Sequence, residues 1–109
     1  ISRYGVVRPC RPPAGDVFPI DGVVEKPAQE DAPSPFAVCA RYLLPNAVFA
    51  ALDAEPRTEG VELPVTGAID RLLAGGVPGS AVPLRCDEAR HDIGNFDTYY
   101  RAFVTFALK

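Results

Sequence analysis

The stretch Phe36-Ala37-Val38-Cys39-Ala40-Arg41-Tyr42-Leu43-Leu44 decides the fold class. It is apolar at nearly every position, with Arg41 its one charge. A strand with one wet face alternates; a strand covered on both faces reads as a continuous apolar run. The stretch therefore predicts a strand inside an α/β layer, with Cys39 a small buried hydrophobe within it.

Upstream, Tyr4-Gly5-Val6-Val7 reads as a short strand that stops before Arg8-Pro9. Pro9, Pro12, Pro13 and Gly15 then make a loop. Residues 17–26 read as extended, with Asp21-Gly22 a turn or bulge inside them. Residues 27–35 hold three prolines and no periodicity, which predicts a loop. Downstream, Asn46 is a good N-cap for a helix carrying Val48, Phe49 and Leu52, and Pro56 ends it. Residues 57–64 are polar and turn-rich. A second helix over 66–73 puts Ala68, Ile69, Leu72 and Leu73 on one face, and Gly75-Gly76 stops it. Residues 81–86 read as a strand interrupted by Pro83. After a turn at 91–95, Asn95 can cap a last helix over 96–108, whose apolar stripe is Phe96, Tyr99, Tyr100, Phe103, Val104 and Ala107. The order β-β-β-α-α-β-α fits half of a layered α/β domain. Its few strands leave a raw apolar edge, so the chain is expected to self-associate as a homo-oligomer.

Composition excludes several classes. Eleven Lys and Arg against 14 Asp and Glu give a net charge of −3, which is no footprint for nucleic acid. No apolar run approaches the roughly 20 residues that span a bilayer, and no leader pattern opens the chain. A soluble, cytoplasmic protein is expected. Twelve prolines and 9 glycines in 109 residues imply short elements joined by defined turns. There is no methionine and the first residue is Ile1, so a chain excised from a longer protein is expected. Cys10, Cys39 and Cys86 are widely spaced without close pairs, which argues against zinc and for free thiols in a reducing compartment. The sequence leaves a Cys10–Cys86 bridge open.

The residues by themselves offer two candidate sites. Glu25 and Lys26 stand where a strand meets a loop, able to supply an acceptor for hydroxyls and a cation for a phosphate. Strand alternation puts them on opposite faces, so they are not expected to pair with each other. The plainer alternative is a solvated strand end. The second candidate is His91-Asp92-Ile93-Gly94-Asn95, where Asp92 and a nearby glycine suit a metal or phosphate contact; alternatively Asn95 or Asp92 simply caps the last helix. His91 has no Ser or Cys partner for a triad. Arg85, Arg90 and Arg101 read as scattered and solvated.

Taken together, Tyr4-Gly5-Val6-Val7, Gly22-Val23-Val24-Glu25-Lys26-Pro27, Ala32-Pro33-Ser34, residues 37–44, Val65-Thr66-Gly67-Ala68-Ile69-Asp70 and His91-Asp92-Ile93-Gly94-Asn95 resemble the C-terminal half of bacterial UTP–glucose-1-phosphate uridylyltransferases. Glucose-1-phosphate thymidylyltransferases share parts of the set. The resemblance implies an α/β/α sandwich with a mixed sheet, of which residues 1–109 form the C-terminal sugar-phosphate-binding half, without the N-terminal nucleotide-binding half. It implies a reaction of UTP with glucose 1-phosphate that makes UDP-glucose and pyrophosphate with Mg²⁺. It also implies roles: Glu25 for sugar hydroxyls, Lys26 as the catalytic cation at the sugar phosphate, Gly5 for close approach of the sugar, Val38 as pocket lining, and Asp92 as one of two carboxylates on Mg²⁺. The family's usual Glu-Ile-Gln-Leu-Thr-Asp-Ala-Ile run is here Glu62-Leu63-Pro64-Val65-Thr66-Gly67-Ala68-Ile69, and a family glycine is replaced by Ala40. The glycine-rich triphosphate loop and the second carboxylate do not occur in these 109 residues, so the chain alone is expected to be inactive. Other readings are a thymidylyltransferase or related sugar nucleotidyltransferase, and a non-catalytic interaction or regulatory module on the same half-fold.

Overall fold

The two valine-rich stretches near the N-terminus pair with each other. β1 (Val6–Pro9) and β2 (Phe18–Val24) run antiparallel, and β3 (Gly79–Ala81) adds to the far side of β2, giving one antiparallel sheet in the order β1-β2-β3. A computed structural model of the chain describes residues 3–57, 59–60, 63 and 65–109. Glu62 and Pro64, two positions of the run compared above, lie outside them.

The expected irregularity at Asp21-Gly22 is a β-bulge. Arg8 pairs with Gly22 but Pro9 with Ile20, leaving Asp21 as the extra residue. Asp21 accepts from Arg8 Nε at 2.7 Å. Helix α1 (Ala47–Asp53) and helix α2 (Val65–Ala74) pack together, and α2 lies on β2. Asp70 Oδ1 accepts the Val23 N–H at 2.9 Å, tying α2 to the strand. One core group is Val7, Phe18, Val23 and Ile69; a second is Val48, Ala51 and Ala68, with half-buried Leu44 touching both. Gly75-Gly76 ends α2 as expected. Val77 N–H returns to Leu72 O and Gly76 N–H to Leu73 O, with Gly76 in the left-handed region at φ 89°.

Four expectations change. Phe36–Leu44 is not a doubly covered strand. Only Ala37 bridges to Val6; Phe36 and Val38 turn inward while Ala37 and Cys39 face solvent, so one face is covered and the other is open. Ala40 then adopts φ 54°, which ends the extended course, and Leu43 is wholly exposed. Cys39 is accordingly exposed, not a core residue. The strand expected at 81–86 is instead β3, which ends at Ala81, two residues before Pro83, and shares only Ala81 with the expected span. In α1 the Asn46 side chain makes no capping bond, since its own backbone is already helical, and Phe49 points outward while Val48 and Ala51 point in. Both strand pairings are antiparallel, so the mixed sheet is not expressed among the described residues.

Helix α3 (Phe96–Ala107) forms where expected, with Thr98 N–H on Asn95 Oδ1 at 3.0 Å. Its apolar stripe does not pack. Phe96, Tyr99, Tyr100, Phe103 and Val104 are all exposed, and only Ala102 is buried. No helix among the described residues is long and apolar enough to cross a membrane.

Candidate functional site

The candidate residues meet around one dipeptide, Tyr4-Gly5, at the start of β1. Lys26 N–H donates to Tyr4 O at 3.1 Å, and Val38 N–H donates to Gly5 O at 2.8 Å. A Cβ on Gly5 would stand 3.4 Å from Glu25 Oε2 and from the Thr66 methyl. Tyr4 Oη donates to Asp92 Oδ2 at 2.9 Å, across 88 residues of sequence. Gly5, Glu25, Lys26, Val38 and Asp92 thus border one backbone corner. Contact at 3.4 Å is ordinary, so the protein's own packing does not demand glycine at position 5.

Glu25 and Lys26 depart from strand alternation. Lys26 takes φ 42°, the left-handed region, immediately after β2 ends. That turn swings its side chain toward its neighbour, and Lys26 Nζ stands 3.7 Å from Glu25 Oε1. The two do pair, contrary to the alternation argument. Their side chains remain open to solvent, Lys26 more than Glu25. An exposed pair of this kind contributes little to stability. A non-glycine residue at positive φ costs on the order of 1–3 kcal/mol and tends to occur where a site uses the geometry.

Asp92 sits in a turn of its own making. Its Oδ1 accepts the Gly94 N–H at 3.0 Å while Oδ2 accepts from Tyr4. The Gly94 N–H first, and the Tyr4 hydroxyl second, hold the carboxyl below its ordinary range, with the charges of Arg90 and Arg3 adding to them. Helix capping falls to Asn95, so Asp92 is left available. Each of its oxygens has one partner and retains a lone pair for a hard cation. Among the described residues no group of three His, Cys, Asp or Glu is placed to hold a metal. Asp92 therefore fits Mg²⁺ as one ligand beside waters and phosphate oxygens, not as a complete site.

Three residues of this corner carry no local sequence signal. Arg90, read as solvated, lies over the Tyr4 ring at 4.5 Å from its centroid. Tyr4 reads in sequence only as a strand start. Tyr42, 42% exposed, titrates above the ordinary phenol range, first from its partial burial and then from the charges of Glu25 and Cys39. The three cysteines are free and exposed, so Cys10 and Cys86 do not bridge.

A short sheet backed by two helices, with a polar corner at the strand ends, defines an α/β protein with a candidate site at the edge of its sheet. The structure superposes on UDP-glucose pyrophosphorylase complexed with UDP-glucose with a TM-score of 0.83 and 31% identity, over 98% of this chain and 39% of that one. UTP-bound UGPase from Acinetobacter baumannii gives 0.77 and 30%, over 98% of this chain and 35% of that one. The family model described as nucleotidyl transferase matches residues 1–108, and the chain belongs to that family. UTP–glucose-1-phosphate uridylyltransferase of Streptococcus pneumoniae serotype 4 is 33% identical to it, over all of this chain and 36% of that protein. The chain thus spans a little over a third of the length of the curated relatives it matches.

Proposed function

We propose that this chain supplies the sugar-phosphate side of a UTP–glucose-1-phosphate uridylyltransferase. The observation that carries the reading is the convergence of Gly5, Glu25, Lys26 and Val38 at one corner in a chain similar along its whole length to such enzymes. In the proposed reaction an oxygen of the sugar phosphate attacks the α-phosphorus of UTP. A new P–O bond forms, the bond to the β-phosphate oxygen breaks, and pyrophosphate leaves. Glu25 accepts hydrogen bonds from sugar hydroxyls through its two oxygens. Lys26 neutralises the sugar phosphate and orients it for in-line attack, as a point charge. Gly5 lets the sugar rest on bare backbone, and Val38 walls the pocket. Asp92 gives one carboxylate to Mg²⁺, which when bound supplies charge neutralisation on the phosphates.

Calorimetric titration with glucose 1-phosphate tests the assignment. Wild type is expected to bind, and Lys26→Ala to bind about 10-fold or more weakly, as for a lost charge-assisted hydrogen bond. Equal affinities, or no binding by wild type, contradict it. The chain alone is expected to show no turnover with UTP, glucose 1-phosphate and Mg²⁺, because the triphosphate loop is not in its sequence. Measured turnover would overturn that part. The uncovered stripe of α3 supports self-association, which light scattering at high concentration checks; a clean monomer speaks against it. The three free thiols support a cytoplasmic setting.

A further inference from the structure

The Tyr4 side chain stands outside the roles assigned above. It is half-buried at the start of β1, its hydroxyl on Asp92 Oδ2 and its ring under Arg90. Its own carbonyl accepts the Lys26 N–H, so one residue touches both the cation and the carboxylate of the corner. Among the described residues Asp92 has no other side-chain donor, and it rides on an exposed turn. The Gly94 N–H fixes only Oδ1, within the same turn. Among the described residues the Tyr4 bond is the one that joins the carboxylate to the start of β1.

We infer that Tyr4 is a positioning residue: through its hydroxyl it fixes the Asp92 carboxylate at the Lys26 corner, presenting it for a divalent cation. This rests on the reading of Asp92 as a cation ligand. A hydrogen bond from an outer partner orients a ligating carboxylate and leaves its remaining lone pairs free. Arg90, stacked on the ring, keeps the phenol from swinging away. Removal of such a partner typically lowers metal affinity by about 10- to 100-fold. With the site open to solvent, the lower end of that range is expected.

The test adds Mn²⁺ alone, in steps, to the ¹⁵N-labelled chain and follows paramagnetic broadening of the Gly94 amide. Wild type is expected to lose that signal early and locally. Tyr4→Phe keeps the ring and its Arg90 contact but lacks the hydroxyl; it is expected to need about 10-fold more Mn²⁺. Tyr99→Phe, which changes an exposed tyrosine on α3, is expected to behave as wild type. Superimposable curves for wild type and Tyr4→Phe overturn the inference, as does broadening in wild type that spares Gly94. Failure of glucose 1-phosphate to bind, with the Mn²⁺ behaviour as expected, would strike the functional reading and leave Tyr4's role standing.

Discussion

Helices α2 and α3 carry the same kind of pattern and meet different fates. Both have an apolar stripe at helical spacing and a defined end, α2 at Gly75-Gly76 and α3 at the Asn95 cap. In α2 the stripe is spent on the sheet and on α1: Ile69, against the sheet, is 8% exposed, and Ala68, against α1, is fully buried. In α3 the stripe faces water, with Phe96 80% and Phe103 63% exposed. Amphipathic periodicity shows which face wants cover. It does not show whether the cover is present.

The sharpest break in that comparison is local opening. A 12-residue helix without a packed face is marginal in water, whereas α2 can open only with the core. In dilute solution, below the range of self-association, hydrogen exchange is expected to protect the Ala68 and Ile69 amides on the order of 10³-fold more than those of the middle of α3. Equal protection would show that α3 is covered by something else. Substitution gives the next effect. Ile69→Ala is expected to cost about 2–5 kcal/mol by leaving a cavity against Val7, Phe18 and Val23. Phe103→Ala is expected to change stability by less than about 0.5 kcal/mol. Comparable losses in urea unfolding would erase the distinction between the helices.

Two smaller effects sharpen the contrast between the core and the corner. Ala40 holds φ 54°, in the left-handed region that favours glycine. The left-handed conformation costs an alanine roughly 1–2 kcal/mol, and glycine costs roughly 0.5–1 kcal/mol in lost chain freedom. Ala40→Gly is therefore expected to stabilise the chain by about 0.5–1 kcal/mol; destabilisation would mean that the strain is absent. Tyr42 gives the smallest effect. Its folded-state pKa is raised, by burial first and the Glu25 charge second, so its contribution to stability is present below about pH 10 and is lost as pH rises through the folded value. An absorbance titration is expected to show a late phenol component that Tyr42→Phe removes. Loss of that component in Tyr99→Phe instead would move the assignment.

Much of the frame was legible in sequence because it rests on local chemistry. The bulge at Asp21-Gly22, the stop at Gly75-Gly76 and the cap at Asn95 each follow from a few adjacent residues. The reading of Phe36–Leu44 failed because a continuous apolar run reports two faces seeking cover, and among the described residues only one finds it. Glu25 and Lys26 were visible as a pair of chemistries, but their mutual contact depends on a left-handed Lys26 that nothing in the residue types announces. Tyr4 was hidden for a different reason: its partner lies 88 residues away, and no spacing rule links them.

The central claim is that Gly5, Glu25, Lys26 and Val38 form one seat for a phosphorylated sugar, with Asp92 at its border. Amide shifts of the labelled chain on adding glucose 1-phosphate test it most directly. The account predicts saturable shifts grouped at Gly5, Glu25, Lys26 and Val38, with none in the middle of α3. Shifts that leave those four amides unmoved would contradict it.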